Sequence, residues 1–278
     1  MLRLIRDELL KTFLKKRTYI GFGIILLIVP LVEIAMNLEG SHFITAMTRT
    51  LARDFFFSGN LFNGWFIAYQ IMNSLWLHIP ILISFVVGDQ LAGEATAGTY
   101  RLILIRPVSR TKIFFAKYAA SIIYTILFVA FLGGLSVGLA LFLAGRGDLL
   151  VYKGEILLLT DKDVAWRFLV GYMFAFWTMT TIASISFFFS SFVDNAIGPI
   201  VGTMGVYLIC SIITLMPIQL FDAVRPHLFT SYLDLWSRVF AEPIDWGKIR
   251  IGALYLGGYS FASVASAWYI FVRKDILS

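Results

Sequence analysis

Six stretches of this chain stay apolar for about the thickness of a lipid bilayer, at 19–37, 64–88, 118–144, 168–192, 197–217 and 249–272. A hydrocarbon core of about 30 Å takes roughly 20 helical residues at 1.5 Å each, and a backbone in lipid has to satisfy its own hydrogen bonds. The pattern therefore predicts an all-α, polytopic membrane protein with six transmembrane helices in one domain over residues 1–278. Composition agrees, with 59% of residues hydrophobic and only 14% charged. A soluble domain carries about 25% charged residues. A soluble enzyme, a disordered tail and a secreted disulfide scaffold are excluded. Cys210 is the sole cysteine, so neither an internal disulfide nor a cysteine-built metal site is available.

The net charge of +6 is spread beside the apolar runs and forms no stripe for nucleic acid, so it reads as a topology signal. Thirteen Lys and Arg fall before the first run, between the second and third, and after the sixth, against six acidic residues; the other side holds ten and eleven. The imbalance, +7 against −1, puts both termini in the cytoplasm of a multi-pass protein in the cell membrane, most simply a bacterial or archaeal inner membrane. Glu33, Asn37 and Glu39 stand where a small-residue cleavage site would be needed, so the first run is expected to stay as an anchor.

Residues 1–18 have an amphipathic pattern, with Leu2, Ile5, Leu9 and Phe13 on one face and Asp7, Glu8, Lys11 and Lys15 opposite. The segment is read either as an interfacial cytoplasmic helix or as a solvated basic leader. On the far side, 217–247 is too long for a turn and is expected to be extracytoplasmic or re-entrant. A capping box at Ser231 and Asp234 would open a short helix there, and Pro243 would stop it. The 38–63 stretch, with three consecutive Phe from Phe55, is read in the same way. The sequence around Lys153 and Gly154 suits a small hairpin. Gly134 with Gly138, and Gly198 with Gly202, are small-xxx-small pairs that serve helix packing either within one subunit or between two.

Motifs for chemistry are scarce. No GxxxxGK[ST] occurs, so the chain lacks that means of cradling nucleotide phosphates, and His42, His78 and His227 lack metal-ligand spacing. His78 falls inside the second run near Pro80, with Tyr69, Gln70 and Asn73 before it. It is either one wall of a polar path or a neutral imidazole bonded to a neighbouring helix. Glu33 and Arg167 are expected to reach the interface.

The connection 88–118 reads GDQLAGEATAGTYRLILIRPVSRTKIFFAKY. It resembles the first intracellular loop of ABC transporter permeases of the type-2 export family. Glu94 supplies the acid of that pattern, Gly98 and Thr99 the following pair, Arg101 to Ile105 the basic and aliphatic run, Pro107 to Arg110 the turn, and Lys117 the closing base. The residues alone make 101–106 an amphipathic turn, its aliphatic side suited either to a groove on a soluble partner or to the inner leaflet.

The resemblance implies a single permease domain that is not itself an enzyme and binds no cofactor. ATP and Mg would sit on a separate ABC ATPase subunit, in two copies, and a second permease subunit, identical or related, would complete the complex in membrane lipid, with no nucleic acid involved. A cytoplasmic coupling helix would lie within 89–112, between spans two and three, with Glu94, Gly98, Thr99, Arg101, Leu102, Ile105, Arg106 and Arg110 as ATPase-coupling residues. Tyr69, Asn73, His78, Thr203 and Tyr207, on the second and fifth spans, would face the substrate path. The function implied is outward movement of a lipid, peptide, antibiotic or other amphipathic substrate. The alternative is an ion-coupled carrier or channel with no ATPase, in which His78 and Glu33 are the important groups.

Overall fold

The computed structural model describes residues 1–48, 62–98, 108–152 and 156–274, with the backbone alone for 41–48. Ten α-helices and one hairpin lie among the described residues. They are α1 (Leu2–Leu14), α2 (Thr18–Thr48), α3 (Gly64–Leu75), α4 (Ile79–Val87), α5 (Asp89–Thr96), α6 (Arg110–Ala144), α7 (Asp161–Phe192), α8 (Gly198–Leu215), α9 (Leu235–Arg238) and α10 (Trp246–Arg273), with β1 (Leu149–Tyr152) paired antiparallel to β2 (Ile156–Leu159). The protein is thus an all-α membrane protein with a small hairpin where the Lys153–Gly154 pattern placed one.

Four helices are long and apolar enough to cross a membrane: α2 over Thr18–Gly40, α6, α7 and α8. The pair α3 and α4, bent by 58° at its break, makes a fifth if it is one span. The run expected as the second span is therefore broken. Pro80 sits in the first turn of α4, where its missing N–H costs nothing, and it starts a new helix after Trp76–His78. The sixth expected run lies in α10, whose 28 residues have the length but whose Gly257, Gly258, Ser260, Ser263 and Ser266 lower its hydropathy.

Helix α7 is the centre of the bundle, and hydroxyls rather than glycine pairs tie its neighbours to it. Thr181 donates to the Leu256 carbonyl and accepts from Ser260 of α10 (3.3 and 3.1 Å), Ser184 meets the Tyr118 hydroxyl of α6 at 2.9 Å, and Ser186 lies 3.5 Å from the Ser84 carbonyl of α4. In lipid such groups find partners on other helices because no water is present to take their place. A Cβ on Gly134 or Gly138 would meet nothing within 4 Å, so that pair packs nothing among the described residues, whereas Gly202 lies against Phe189 of α7. Gly64 is required by sterics: a Cβ there would sit 2.6 Å from the Ala140 carbonyl of α6.

Ser190 of α7 also terminates a break. The chain turns at Gly88 from α4 into α5, and the Ser190 hydroxyl accepts from the N–H groups of Leu91 and Ala92 (3.1 and 2.9 Å) while donating to the Gly88 carbonyl at 2.6 Å. The amides that a helix start leaves without partners are thus capped from a different helix.

The two ends of the bundle have different contents. At one end lie α1, α5, the start of α6, the α7–α8 turn and the end of α10. There Arg110 donates to the carbonyls of Val272 and Lys274 (3.1 and 3.0 Å), Lys274 pairs with Asp194 at 2.5 Å, and Thr96 donates to the Asp194 carbonyl at 3.2 Å. At the other end, Asn63 donates to the Asp148 carbonyl (2.7 Å), the Trp65 indole to Asp161 (2.6 Å), and Arg167 to the carbonyls of Val239 and Ala241 and to Glu242. Helix α1 and the end of α10 therefore share one end.

Three expectations are corrected. Arg167 does not extend into the surroundings but is buried under the Val239 and Ala241 carbonyls and paired with the Glu242 carboxylate, and Glu33 is fully buried within the bundle. The Ser231–Asp234 capping box does not form; a 3-10 turn (Phe229–Tyr232) precedes the single turn of α9, and the Asp234 carboxylate goes to Arg238 instead.

Because Ser190 satisfies two N–H groups and one carbonyl in a buried place, Ser190→Ala is expected to cost about 1–3 kcal/mol. A lowered thermal unfolding midpoint in detergent checks this.

Candidate functional site

The densest charge cluster joins α1, α5 and the beginning of α6. Lys117 lies two turns into α6, is 1% exposed, and would be an isolated charge among apolar side chains without counter-ions. It has two: its ammonium is 2.7 Å from Glu8 of α1 and 2.6 Å from Glu94 of α5. Lys11 closes the square at 2.8 Å from Glu8 and 3.4 Å from Glu94. Two carboxylates and two ammoniums alternate and the charges cancel, which offsets the desolvation that a lone buried charge would suffer.

A second knot adjoins it. Asp89, in the first turn of α5 where the helix dipole favours an anion, takes Lys15 at 2.7 Å and also Arg17. Gln90 donates to the Thr12 hydroxyl at 2.9 Å, and Thr12 donates back to the Glu8 carbonyl at 2.8 Å. Gly93 clears the space, since a Cβ there would sit 2.1 Å from an Asp89 carboxylate oxygen. The short helix α5 is thus held along its length by α1 on one side and by Lys117 and Ser190 on the others.

The electrostatics of α1 follow from these contacts. Burial pushes the Glu8 carboxyl up, but the ammoniums of Lys117 and Lys11 outweigh it and hold the group below its ordinary 4.5. Burial pushes Lys11 down, and Glu8 and Glu94 overcome this and raise it above 10.5. A lowered acid stabilises the fold above its unfolded value and loses that contribution as pH falls through its folded value; a raised base does so below its unfolded value and loses it as pH rises through its folded one. Glu8 and Lys11 therefore both keep their charge across the neutral range.

The sequence placed α1 with its apolar face as the anchoring one. In the structure Glu8 and Thr12 turn inward, Ile5, Leu9 and Phe13 are half-buried, and Leu2, Leu10 and Leu14 are exposed beside Arg3 and Arg6. Of the expected coupling residues, Glu94 lies in the square, Gly98 just after α5 at φ +65°, and Arg110 caps the end of α10. Thr99, Arg101, Leu102, Ile105 and Arg106 lie outside the described residues. The residues proposed for a path do not converge. Tyr69 is buried against Trp236 and Phe240, and Thr203 and Tyr207 are buried on α8, whereas Asn73 and His78 are exposed at the α3–α4 break. The His78 ring nitrogen lies 3.2 Å from the Ser74 carbonyl of its own helix.

Glu8, Lys11 and Lys15 were read from the sequence only as the polar face of an amphipathic helix, and Asp89 and Gln90 only as part of the 88–118 segment, not as partners of one another. The signal that could have found them is Lys117, a cation inside the run 113–144 that needs a counter-charge from elsewhere in the chain. No group of three or more His, Cys, Asp or Glu suited to a metal occurs among the described residues.

These features define a membrane-embedded helical protein whose short break helix is locked by buried ion pairs to an amphipathic N-terminal helix. A family model described as "Protein of unknown function (DUF2705)" matches residues 31–277, and the chain belongs to that family. Comparison with curated proteins finds no match.

Two outcomes are expected. Removing one partner of a buried pair costs about 3–5 kcal/mol, so Lys117→Met should strongly increase amide hydrogen exchange in residues 2–14. In the unaltered protein, protection factors there, corrected for the pH dependence of intrinsic amide exchange, should be steady near neutrality and fall on acidification to below 4.5, as Glu8 takes up a proton.

Proposed function

We propose that this chain is the transmembrane permease subunit of an ABC-type exporter, driven by a separate ATPase subunit in two copies and paired with a second permease subunit, identical or related. In this reading residues 1–278 form one permease domain of six spans, with α3–α4 as the broken second and α10 as the sixth. The end shared by α1 and the end of α10 faces the cytoplasm of a bacterial or archaeal cell membrane, and α5 with the following 99–107 segment is the docking element. ATP and Mg belong to the partner, and the cargo is a lipid, peptide, antibiotic or other amphipathic molecule moved outward.

The observation that carries the reading is the placement of Lys117 between Glu8 and Glu94. A loop that transmits force has to be rigidly joined to the spans it moves. Here the segment carrying the export-permease resemblance is fastened by buried charges to α1 and to the base of α6, and by Ser190 to α7. Closure of a docked ATPase would displace α5 and hence α1, α6 and α7 together, biasing the bundle between two packings.

A second reading, an ion-coupled carrier without an ATPase, is favoured by the buried Glu33 carboxylate. Gentle purification separates the two, since only the first predicts an ATP-hydrolysing subunit that copurifies. With that subunit co-expressed, Glu94→Ala and Arg101→Glu are expected to abolish its stimulation by the permease while leaving membrane insertion unchanged. Unchanged stimulation by both variants contradicts the proposal.

A further inference from the structure

Among the residues of α2 that face the bundle are Ile25, Val29 and Glu33, each four residues after the last. The first two are what a core stripe requires. The third is a carboxyl that is 0% exposed, and neither of its oxygens has a hydrogen-bond partner. It lies 15 residues beyond the start of α2, about 22 Å along the helix at 1.5 Å per residue, within the stretch Thr18–Gly40 that is long and apolar enough to cross a membrane.

The polar groups near it are few. The Tyr172 hydroxyl of α7 is within its electrostatic reach and meets the Ser136 hydroxyl of α6 at 2.8 Å. Ser136 in turn lies 3.4 Å from the Gly133 carbonyl, and Gly133 has no side chain to displace the Tyr172 ring, which a Cβ would meet at 3.0 Å. No cation faces Glu33 from α6 or α7 among the described residues. An anion here would be an uncompensated charge in an apolar interior, at a cost far above that of the neutral acid.

We infer that Glu33 is a proton-binding site inside the bundle, protonated while α2, α6 and α7 are packed as they are here, with Tyr172 and Ser136 as its polar surroundings. Any state that opens this face to water lets the carboxyl ionise, so opening releases a proton and closing takes one up. The inference rests on neither functional reading, and its test needs no ATPase.

A protonated carboxyl in an apolar site is the target of a lipophilic carbodiimide. The carboxyl oxygen bonds to the carbodiimide carbon, the acid proton passes to a carbodiimide nitrogen, and an oxygen-to-nitrogen acyl shift gives a stable N-acylurea with no leaving group. Dicyclohexylcarbodiimide added to the full chain in membranes should label Glu33, located by peptide mass spectrometry, and should leave the exposed Glu39 of the same helix unlabelled.

Infrared spectra of the purified protein should show the carbonyl stretch of a protonated carboxyl that disappears in Glu33→Gln and changes frequency in Tyr172→Phe. Both variants are nearly isosteric, and an unchanged unfolding midpoint confirms that the site rather than the fold was altered. Labelling that spares Glu33, or a carboxyl band that persists undiminished in Glu33→Gln, overturns the inference.

Discussion

A lysine buried near the base of an apolar helix has to be neutralised, and that requirement organises one whole end of this molecule. Lys117 alone would be intolerable in α6; with Glu8 and Glu94 it becomes the point where three elements meet. Because those carboxylates come from α1 and α5, more than 80 residues apart in the chain, the same contacts that remove the charge penalty also decide where both helices lie. Lys11 and the Asp89 knot extend the arrangement, so α1 presents Glu8 and Thr12 inward and Leu2, Leu10 and Leu14 outward. An amphipathic helix on a membrane surface then has charge contacts on its protein side and an apolar, arginine-bordered side left for lipid or another chain.

The rest of the bundle follows a different rule. Where α1 and α5 are held by ions, the spans are held by hydroxyls on α7, which reach α10, α6 and α4, and at Ser190 the start of α5. These two systems join at α5. A helix of eight residues has little packing area of its own, so its position depends almost wholly on Ser190 at one end and the carboxylate contacts along its side. Such an element moves as a unit with its neighbours, which is what the functional proposal asks of a docking element.

Much of this architecture was legible in the sequence because lipid imposes a length. The runs that became α2, α6, α7 and α8 are apolar on average over a spanning length, which is enough to identify them. The 64–88 run was read as one span, with Pro80 noted only as a neighbour of His78, although a proline within an apolar run is itself a reason to expect a break. Hairpin β1–β2 was legible from its strand formers around Lys153–Gly154. Helix α9 was misplaced because Asp234 had a nearer partner in Arg238 than in the backbone it was expected to cap.

At the candidate site, Glu94 and Lys117 were visible through the motif, whereas their pairing with Lys11 and Glu8 was not, since contacts across 83 and 109 residues leave no local pattern. The glycine pairs drew attention that belonged to the Ser and Thr stripe of α7, where alternating hydroxyls were hidden by the hydrophobic average.

The central claim is that buried charge fastens α1 to α5 while the protein sits in its membrane. It is tested most directly by cross-linking Thr12→Cys to Gln90→Cys, whose native side chains touch at 2.9 Å, with a short thiol-reactive linker in a Cys210→Ser background. The account predicts rapid and nearly complete cross-linking in vesicles, sharply reduced when Lys117→Met is added. No cross-link in the parent pair, or an equal yield after Lys117 is replaced, would contradict it.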